Sequence, residues 1–383
     1  MPWITESTMS LRLSFVKEVE DKQESVSALC RKYNISRTLG YRYLARYKEE
    51  GETGLIDKAC RPHHCPQQTP VELEELIVST RKRFPDWGAR KIHRCLSDDY
   101  PNLELPSLST LTTIFKRHNL VEKVESQKRQ ALGRFERATP NELWQMDYKG
   151  SFLCEDKKRC FPFTVLDDHS RFSLAIKALP NERGSLLKGY LEDIFREYGL
   201  PLQINVDNGN PWGTSNLAAQ YTQFNVWLLH LGIKVTHSRP SHPQTNGKIE
   251  RFHRSLKQEV LKRQTFNNFE DAQTGFDQWR DIYNYQRPHQ ALNMEVPAIR
   301  YKPSPREFTE RLPAIEYEQS DTVLKVGQAG YIYFNKTEYN IGKAFRSLNV
   351  AIRPTEIDGQ FLVYFGQHVI KTITFIPSRE VVR

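Results

Sequence analysis

The chain has 383 residues, with 55 Lys and Arg against 46 Asp and Glu for a net charge of +9. With 38% of residues hydrophobic and 26% charged, it holds enough apolar material for packed cores and too much for general disorder, and its length implies about two to four domains. It lacks the ~18 consecutive apolar residues of a bilayer span, a secretory leader and the cysteine density of a disulfide scaffold, so the reading is a cytoplasmic protein with no membrane partner. The basic excess suits a polyanion.

Residues 1–60 read as a short helical bundle. Leu11, Leu13, Phe15, Val16 and Val19 form one apolar stripe, and Val26, Ala28 and Leu29 a second. The turn Asn34-Ile35-Ser36 follows, with Ser36 placed to cap a helix over residues 37–49. From residue 31 to 48 there are six basic residues (Arg31, Lys32, Arg37, Arg42, Arg46, Lys48) and no acidic one, with Tyr41 among the interleaved tyrosines. Helix, tight turn and basic helix make a helix-turn-helix, and those residues are its candidate DNA contacts.

A connector follows in which Cys60, His63, His64 and Cys65 are zinc-ligand types, but too crowded for ligand pairs on separate elements. Residues 67–120 read as a second helix-turn-helix, with or without a wing, whose helices lie near 71–84, 88–96 and 109–118 and whose Arg90, Lys91 and Arg94 are further candidate DNA contacts. Residues 121–140 lack periodicity and read as a linker.

The pattern changes at Asn141. Strands are predicted over 143–148, 161–166 and 172–178, a helix over 187–198, a strand over 202–207, a helix through 227–231, a short strand over 233–237 and a long helix from about residue 246. This is an α/β layer domain over 141–300. Residues 316–383 read as short strands separated by turn signals, a small β-barrel.

Three acids stand at informative places: Asp147 within the first strand, on the face opposite Trp144, Met146 and Tyr148; Asp207 at the end of a later strand; and Glu250 at the start of the long helix. Brought together, three carboxylates repel unless a cation neutralises them, and hard oxygen ligands select Mg²⁺ or Mn²⁺ over zinc. On the long helix Ile249, Phe252, Leu256 and Val260 form the buried stripe. Glu250, Arg254 and Lys257 share another face, a carboxylate followed by two cations suited to phosphate. Asp168 is acidic and lies near the turn after the second strand, and it is assigned no metal role.

Asp147 in Trp-Gln-Met-Asp, Asp207-Asn208-Gly209, and the His-Pro-Gln stretch that runs from His242 through Lys248 to Glu250-Arg251 resemble the Asp-Asp-Glu set of the retroviral-integrase-like (DDE) transposases of bacterial insertion sequences. The segment from Tyr283 through Arg287-Pro288-His289 to Leu292, with Pro297, is similar to the one that closes that core, and the N-terminal units resemble the same group. Two features depart from the pattern: 42 residues separate Asp207 from Glu250, and Asn210-Pro211-Trp212 follows Asp-Asn-Gly.

The resemblance implies an RNase H-like catalytic core that uses two Mg²⁺ (or Mn²⁺) ions, held by Asp147, Asp207 and Glu250, to drive attack of water and then of a DNA 3′ hydroxyl on phosphodiesters. It implies phosphate contacts from Lys248, Arg254 and Lys257. The partner it implies is double-stranded DNA, both element ends and target, handled by a homo-oligomer on paired ends. The competing reading is a catalytically inert, transposase-derived DNA-binding regulator.

Overall fold

The computed structural model describes residues 7–22, 24–58, 68–121, 136–182, 184–207, 209, 212–213, 221–237 and 247–375. The four candidate zinc residues and the His-Pro-Gln stretch before Gly247 lie outside them. The chain divides into two compact units, Met1–Thr69 and Pro70–Arg383.

In the first unit, α1 (Thr8–Glu20), α2 (Val26–Lys32) and α3 (Arg37–Glu50) enclose a core of Phe15, Val16, Leu29, Cys30, Tyr43 and Leu55. As expected, Ser36 caps α3, its side chain accepting the Leu39 N–H at 3.2 Å. Gly40 lets α3 lie against its neighbours, because a Cβ there would stand 2.6 Å from Cys30 Sγ and 3.1 Å from Phe15.

The second unit begins with α4 (Val71–Arg83), α5 (Ala89–Asp99) and α6 (Leu108–Arg117), the last capped by Ser107. Trp87, Ile92, Leu96 and Phe115 sit in their core, and Ile282 from the α/β domain that follows packs against it. Asp86 pairs with Arg263 at 2.6 Å. These contacts hold the helical domain against the one that follows, and residues 122–135 of the expected linker lie outside the described residues. The division between compact units falls instead before Pro70.

The α/β domain is built on a six-stranded mixed sheet: β1 (Leu143–Tyr148), β2 (Phe152–Leu153), β3 (Arg159–Asp167), β4 (Ser173–Leu179), β5 (Gln203–Val206) and β6 (Lys234–His237). β3 lies antiparallel between β1 and β4, while β5 and β6 continue parallel to β1. One face packs on α7 (Gly184–Tyr198) and α8 (Gln223–His230). The other packs on α9 (Gly247–Leu256) and α10 (Phe269–Asp281), and α11 (Pro297–Arg300) follows. The long helix expected from residue 246 gives way to a π-helical turn, Lys257–Leu261, and α10 is an element that the sequence pattern did not yield.

The C-terminal segment is all β, with β7 (Thr322–Lys325), β8 (Tyr331–Phe334), β9 (Thr337–Asn340), β10 (Asn349–Pro354), β11 (Gln360–Phe365) and β12 (His368–Thr374). Among the described residues it forms a four-stranded antiparallel sheet, β12-β11-β10-β7, and a β8-β9 hairpin; no ladder closes them into a barrel. The reason lies in the packing: Val226 and Leu229 of α8 enter the same core as Phe345, Val363 and Phe365, so a helix covers what a barrel wall would. Arg353, a basic residue of β10, is tied to Asp321 at 2.6 and 2.9 Å. No helix among the described residues is long and apolar enough to cross a membrane.

Candidate active site

β1 alternates as its sequence requires. Trp144 and Met146 enter the core beneath α7 and α8, and Tyr148 packs against it, while Gln145 and Asp147 face α9. β5, parallel and adjacent to β1, ends one residue before Asp207, and α9 carries Glu250 in its first turn. An acid there is favoured by the helix N-terminus. The predicted inner stripe of α9 is buried as read: Ile249, Phe252, Leu256 and Val260.

The three carboxylates feel one another. The Asp147 carboxyl is pushed up to about 7, first by burial and then by the charge of Asp207, with Glu250 adding to the effect; the Tyr148 N–H and Lys149 oppose it. Its Oδ1 accepts the Tyr148 N–H at 2.8 Å. Asp207 Oδ1 accepts the Gly209 N–H at 3.1 Å, and its carbonyl accepts from His237 Nδ1 at 3.0 Å. Among the described residues, Asp147, Asp207 and Glu250 included, no three acid, imidazole or thiol groups are gathered closely enough to hold a metal ion. The carboxylates stand as charge-coupled neighbours whose repulsion a cation would relieve.

Several residues that hold this arrangement carry no local sequence signal. Gln145 Oε1 accepts the Ile249 N–H at 3.2 Å, and its Nε2 donates to Asp168 Oδ1 at 2.9 Å, which ties the start of α9 to β1. Asp168 is wholly buried; it also accepts from the Arg137 N–H at 3.0 Å and pairs with Lys248. Lys248, expected to touch phosphate, is instead turned inward onto Asp168, with burial lowering its pKa. His253, on the inner side of α9, places Nδ1 3.7 Å from Asp147 Oδ2, and burial pushes its pKa down to about 3, so the ring is neutral. Trp212, the odd residue after Asp-Asn-Gly, is fully buried against Phe163 and Phe224, and its carbonyl accepts from Asn225 Nδ2 at 2.9 Å. It anchors the chain that leaves Asp207.

Asp168, assigned no metal role, therefore has a structural one. Asp168→Asn removes the carboxylate paired with Lys248, whose side chain is 13% exposed, and the expected cost is about 3 kcal/mol. Urea denaturation measures it; an unchanged midpoint would show that the pair contributes nothing.

The other expected contacts divide. Arg31, Arg37, Tyr41, Arg42 and Lys48 are exposed on the first unit and Arg46 partly so, whereas Lys32 is held by Glu18 at 2.8 Å. Arg90 is exposed and Arg94 pairs with Asp98 at 2.9 Å. Lys91 faces the catalytic domain, its pKa pushed down to about 7 by burial and by the Arg287 charge. That argues against its contacting DNA. Arg254 and Lys257 are exposed along the Glu250 side of α9. The closing segment is structural: Arg287 pairs with Glu259 at 2.8 Å while also donating to Ser255, and Asn284 exchanges two hydrogen bonds with the Ser173 backbone.

Known proteins bear on this geometry. Two integrase core domain families match residues 137–243 and 231–297, a span that includes all three acids. A helix-turn-helix domain family matches 11–63, a homeodomain-like family 40–115, and the C-terminal domain of the IS481 family transposases 321–375. An uncharacterised 39.2 kDa protein of insertion element IS476 from Xanthomonas euvesicatoria is 26% identical, over 69% of this chain and 74% of its own. The uncharacterised 31.7 kDa protein of IS407 from Burkholderia multivorans is 24% identical, over 71% of this chain and 93% of its own. The transposase for transposon Tn552 of Staphylococcus aureus is 25% identical, over 79% of this chain and 68% of its own. With helix-turn-helix domains, integrase core and transposase C-terminal domain matched in order along one chain, the protein belongs to the bacterial insertion-sequence transposases of the retroviral-integrase-like DDE superfamily.

Proposed function

We propose that this transposase binds the ends of a mobile element and there cleaves and joins DNA, with Asp147, Asp207 and Glu250 holding two Mg²⁺ ions. What supports the assignment is that all three acids lie within the matched integrase core, Asp147 on β1, Asp207 just after β5 and Glu250 in the first turn of α9, with Asp207 and Glu250 both raising the proton affinity of Asp147. A buried acid whose proton affinity has risen through carboxylate neighbours is a strong cation ligand, and an all-oxygen set suits Mg²⁺. Bound divalent cations supply positive charge to an attacking oxygen and to the leaving one. The chain's own residues do the rest. Gln145 and the Asp168–Lys248 pair fix where Glu250 begins, Trp212 steadies the chain beyond Asp207, and Arg254 and Lys257 offer cations to the DNA backbone beside the carboxylates. The inert-regulator reading has no comparable support, since all three acids lie within the matched integrase core.

In the same reading α3 enters a major groove through its exposed Arg37, Tyr41 and Arg42, and two copies act on paired ends around a twofold axis. Footprinting on element ends tests the first part. Arg37→Ala and Arg42→Ala should each weaken protection and lower the log–log salt slope by about 0.9 for every phosphate no longer neutralised. Unchanged slopes, or no preference for ends over random DNA, would remove α3 from the interface. Mixing a chain defective in α3 with one lacking Glu250 tests the second, because recovered joining requires catalysis across subunits.

A further inference from the structure

The three helices of the α4–α6 domain differ in what surrounds them. α5 is turned to the α/β domain: Lys91 lies among the charges of Arg251, Glu259 and Arg287, and Arg94, paired with Asp98, also feels Glu295. The turn before α5 adds the 2.6 Å pair of Asp86 with Arg263, and Ile282 packs against the helical core. α4 opens with Glu72 and Glu74, acids that a phosphate backbone would repel. α6 has neither feature. Leu111, Ile114 and Phe115 bury its inner side, while Ser109, Thr113 and Lys116, at i, i+4 and i+7, form an exposed outer one. No acid occurs from residue 105 to residue 121. Among the described residues none of α6 makes an ion pair or hydrogen bond with the α/β domain, and Arg117 is tied to Glu74 within its own domain. Lys116 has no acidic partner among them. A free face of hydroxyls and a cation, with no acid near it in sequence, suits phosphates and base edges.

We propose that the α4–α6 domain is a ruler for the position of the cut: α6 holds duplex DNA through Ser109, Thr113 and Lys116, and a mount formed by Asp86, Arg263 and Ile282 fixes that hold at one distance from the α/β domain. The inference rests on the reading that this chain binds and cuts element ends. The helical domain and the α/β domain share one compact unit, whereas α3 belongs to the other. A DNA-holding helix that cannot shift against the cutting domain sets the number of nucleotides between its contact and the scissile bond, whatever sequence lies between. Asp86, Arg263 and Ile282 are then positioning residues that touch no DNA. A partly exposed ion pair holds weakly by itself, so the apolar contact of Ile282 supplies the grip and the pair the orientation.

The test uses the full chain on an element end. Footprinting without metal should show, beside the segment protected by α3, a second one that Thr113→Glu abolishes and Lys116→Ala weakens. Lys116→Ala should also lower the log–log salt slope by about 0.9. Arg90→Ala, on the mounting helix, should leave both segments protected. Base pairs are then inserted one at a time between the second segment and the cut. The native chain should keep the cut at a constant count from that segment, so that it moves off the original junction by the length inserted. A cut that stays at the original sequence would overturn the proposal, and this arm needs no variant to fold. Asp86→Arg combined with Ile282→Asp removes both parts of the mount; it should keep the second segment protected and spread the cut over neighbouring nucleotides. A folded mount variant that cuts at the single native position would equally overturn the ruler, as would α6 variants with the native footprint. If the native chain neither prefers nor cuts element ends, the underlying reading fails; if it does both and the cut ignores the insertion, the ruler alone fails.

Discussion

Asp147→Asn, Asp207→Asn and Glu250→Gln should each abolish DNA cleavage and strand joining in Mg²⁺, by on the order of a thousandfold or more, while binding to element ends should survive. An amide keeps the size of the side chain and loses the charge that offsets the cations. End binding persists because the exposed basic helix α3 belongs to another compact unit. Stability separates loss of chemistry from loss of fold. The Asp147 carboxyl is raised from 3.8 to about 7, so the metal-free protein holds its proton more tightly folded than unfolded. That contribution is fully present below about pH 4 and is lost as pH rises through about 7. Asp147→Asn removes a group that is costly to ionise, so at pH 8 the metal-free variant should be more stable than the native chain, by up to about 4 kcal/mol. At pH 4 the difference should vanish. A variant that is inactive and also less stable at pH 8 would point to misfolding; a Glu250→Gln protein that joins DNA at the native rate would remove the carboxylate mechanism.

The sequence exposed those acids because the rules that place them are local. Alternation along β1 set Asp147 apart from Trp144 and Met146, the end of β5 located Asp207, and the 3.6-residue stripe from Ile249 to Val260 fixed the outward side of α9 for Glu250. Ser36 and Ser107 announced their helices for the same reason. What stayed hidden depends on distant partners. Lys248 has the look of a phosphate ligand until Asp168, 80 residues away, comes to lie beneath it. Lys91 has the look of a solvent-facing residue until the domain holding Arg287 closes over it. α10 carries Gly275 mid-helix, which weakens any local helical signal; only the fold shows that a Cβ there would stand 2.7 Å from Phe266. The missing barrel wall is likewise invisible locally, because the element that replaces it, α8, lies about a hundred residues earlier in the chain.

That last substitution has a large mechanical consequence. Phe365→Ala should destabilise the protein by about 3–5 kcal/mol, and the loss should be felt in the catalytic domain as well as in the C-terminal sheet. Phe365 is fully buried and packs edge-to-face on Phe345 at 5.3 Å and on His230 of α8 at 5.7 Å. Val226 and Leu229 of α8 share its core, while Trp227 on the same helix packs into the sheet core with Phe195 and Phe224. Phe224 in turn holds Trp212, the anchor beyond Asp207. The C-terminal sheet is thus coupled through one helix to the chain that leaves Asp207. Deleting residues 316–383 should therefore impair joining on any DNA, short or long, although the segment holds none of the three acids, because α8 is left with an apolar face in water. Thermal unfolding of Phe365→Ala distinguishes coupling from a passive cap. Coupling predicts a single transition at lower temperature, with tryptophan fluorescence and far-UV circular dichroism coincident. Two separated transitions, the catalytic one unmoved, would mean that the sheet only sits on α8 and that the Asp207 region keeps its geometry without it.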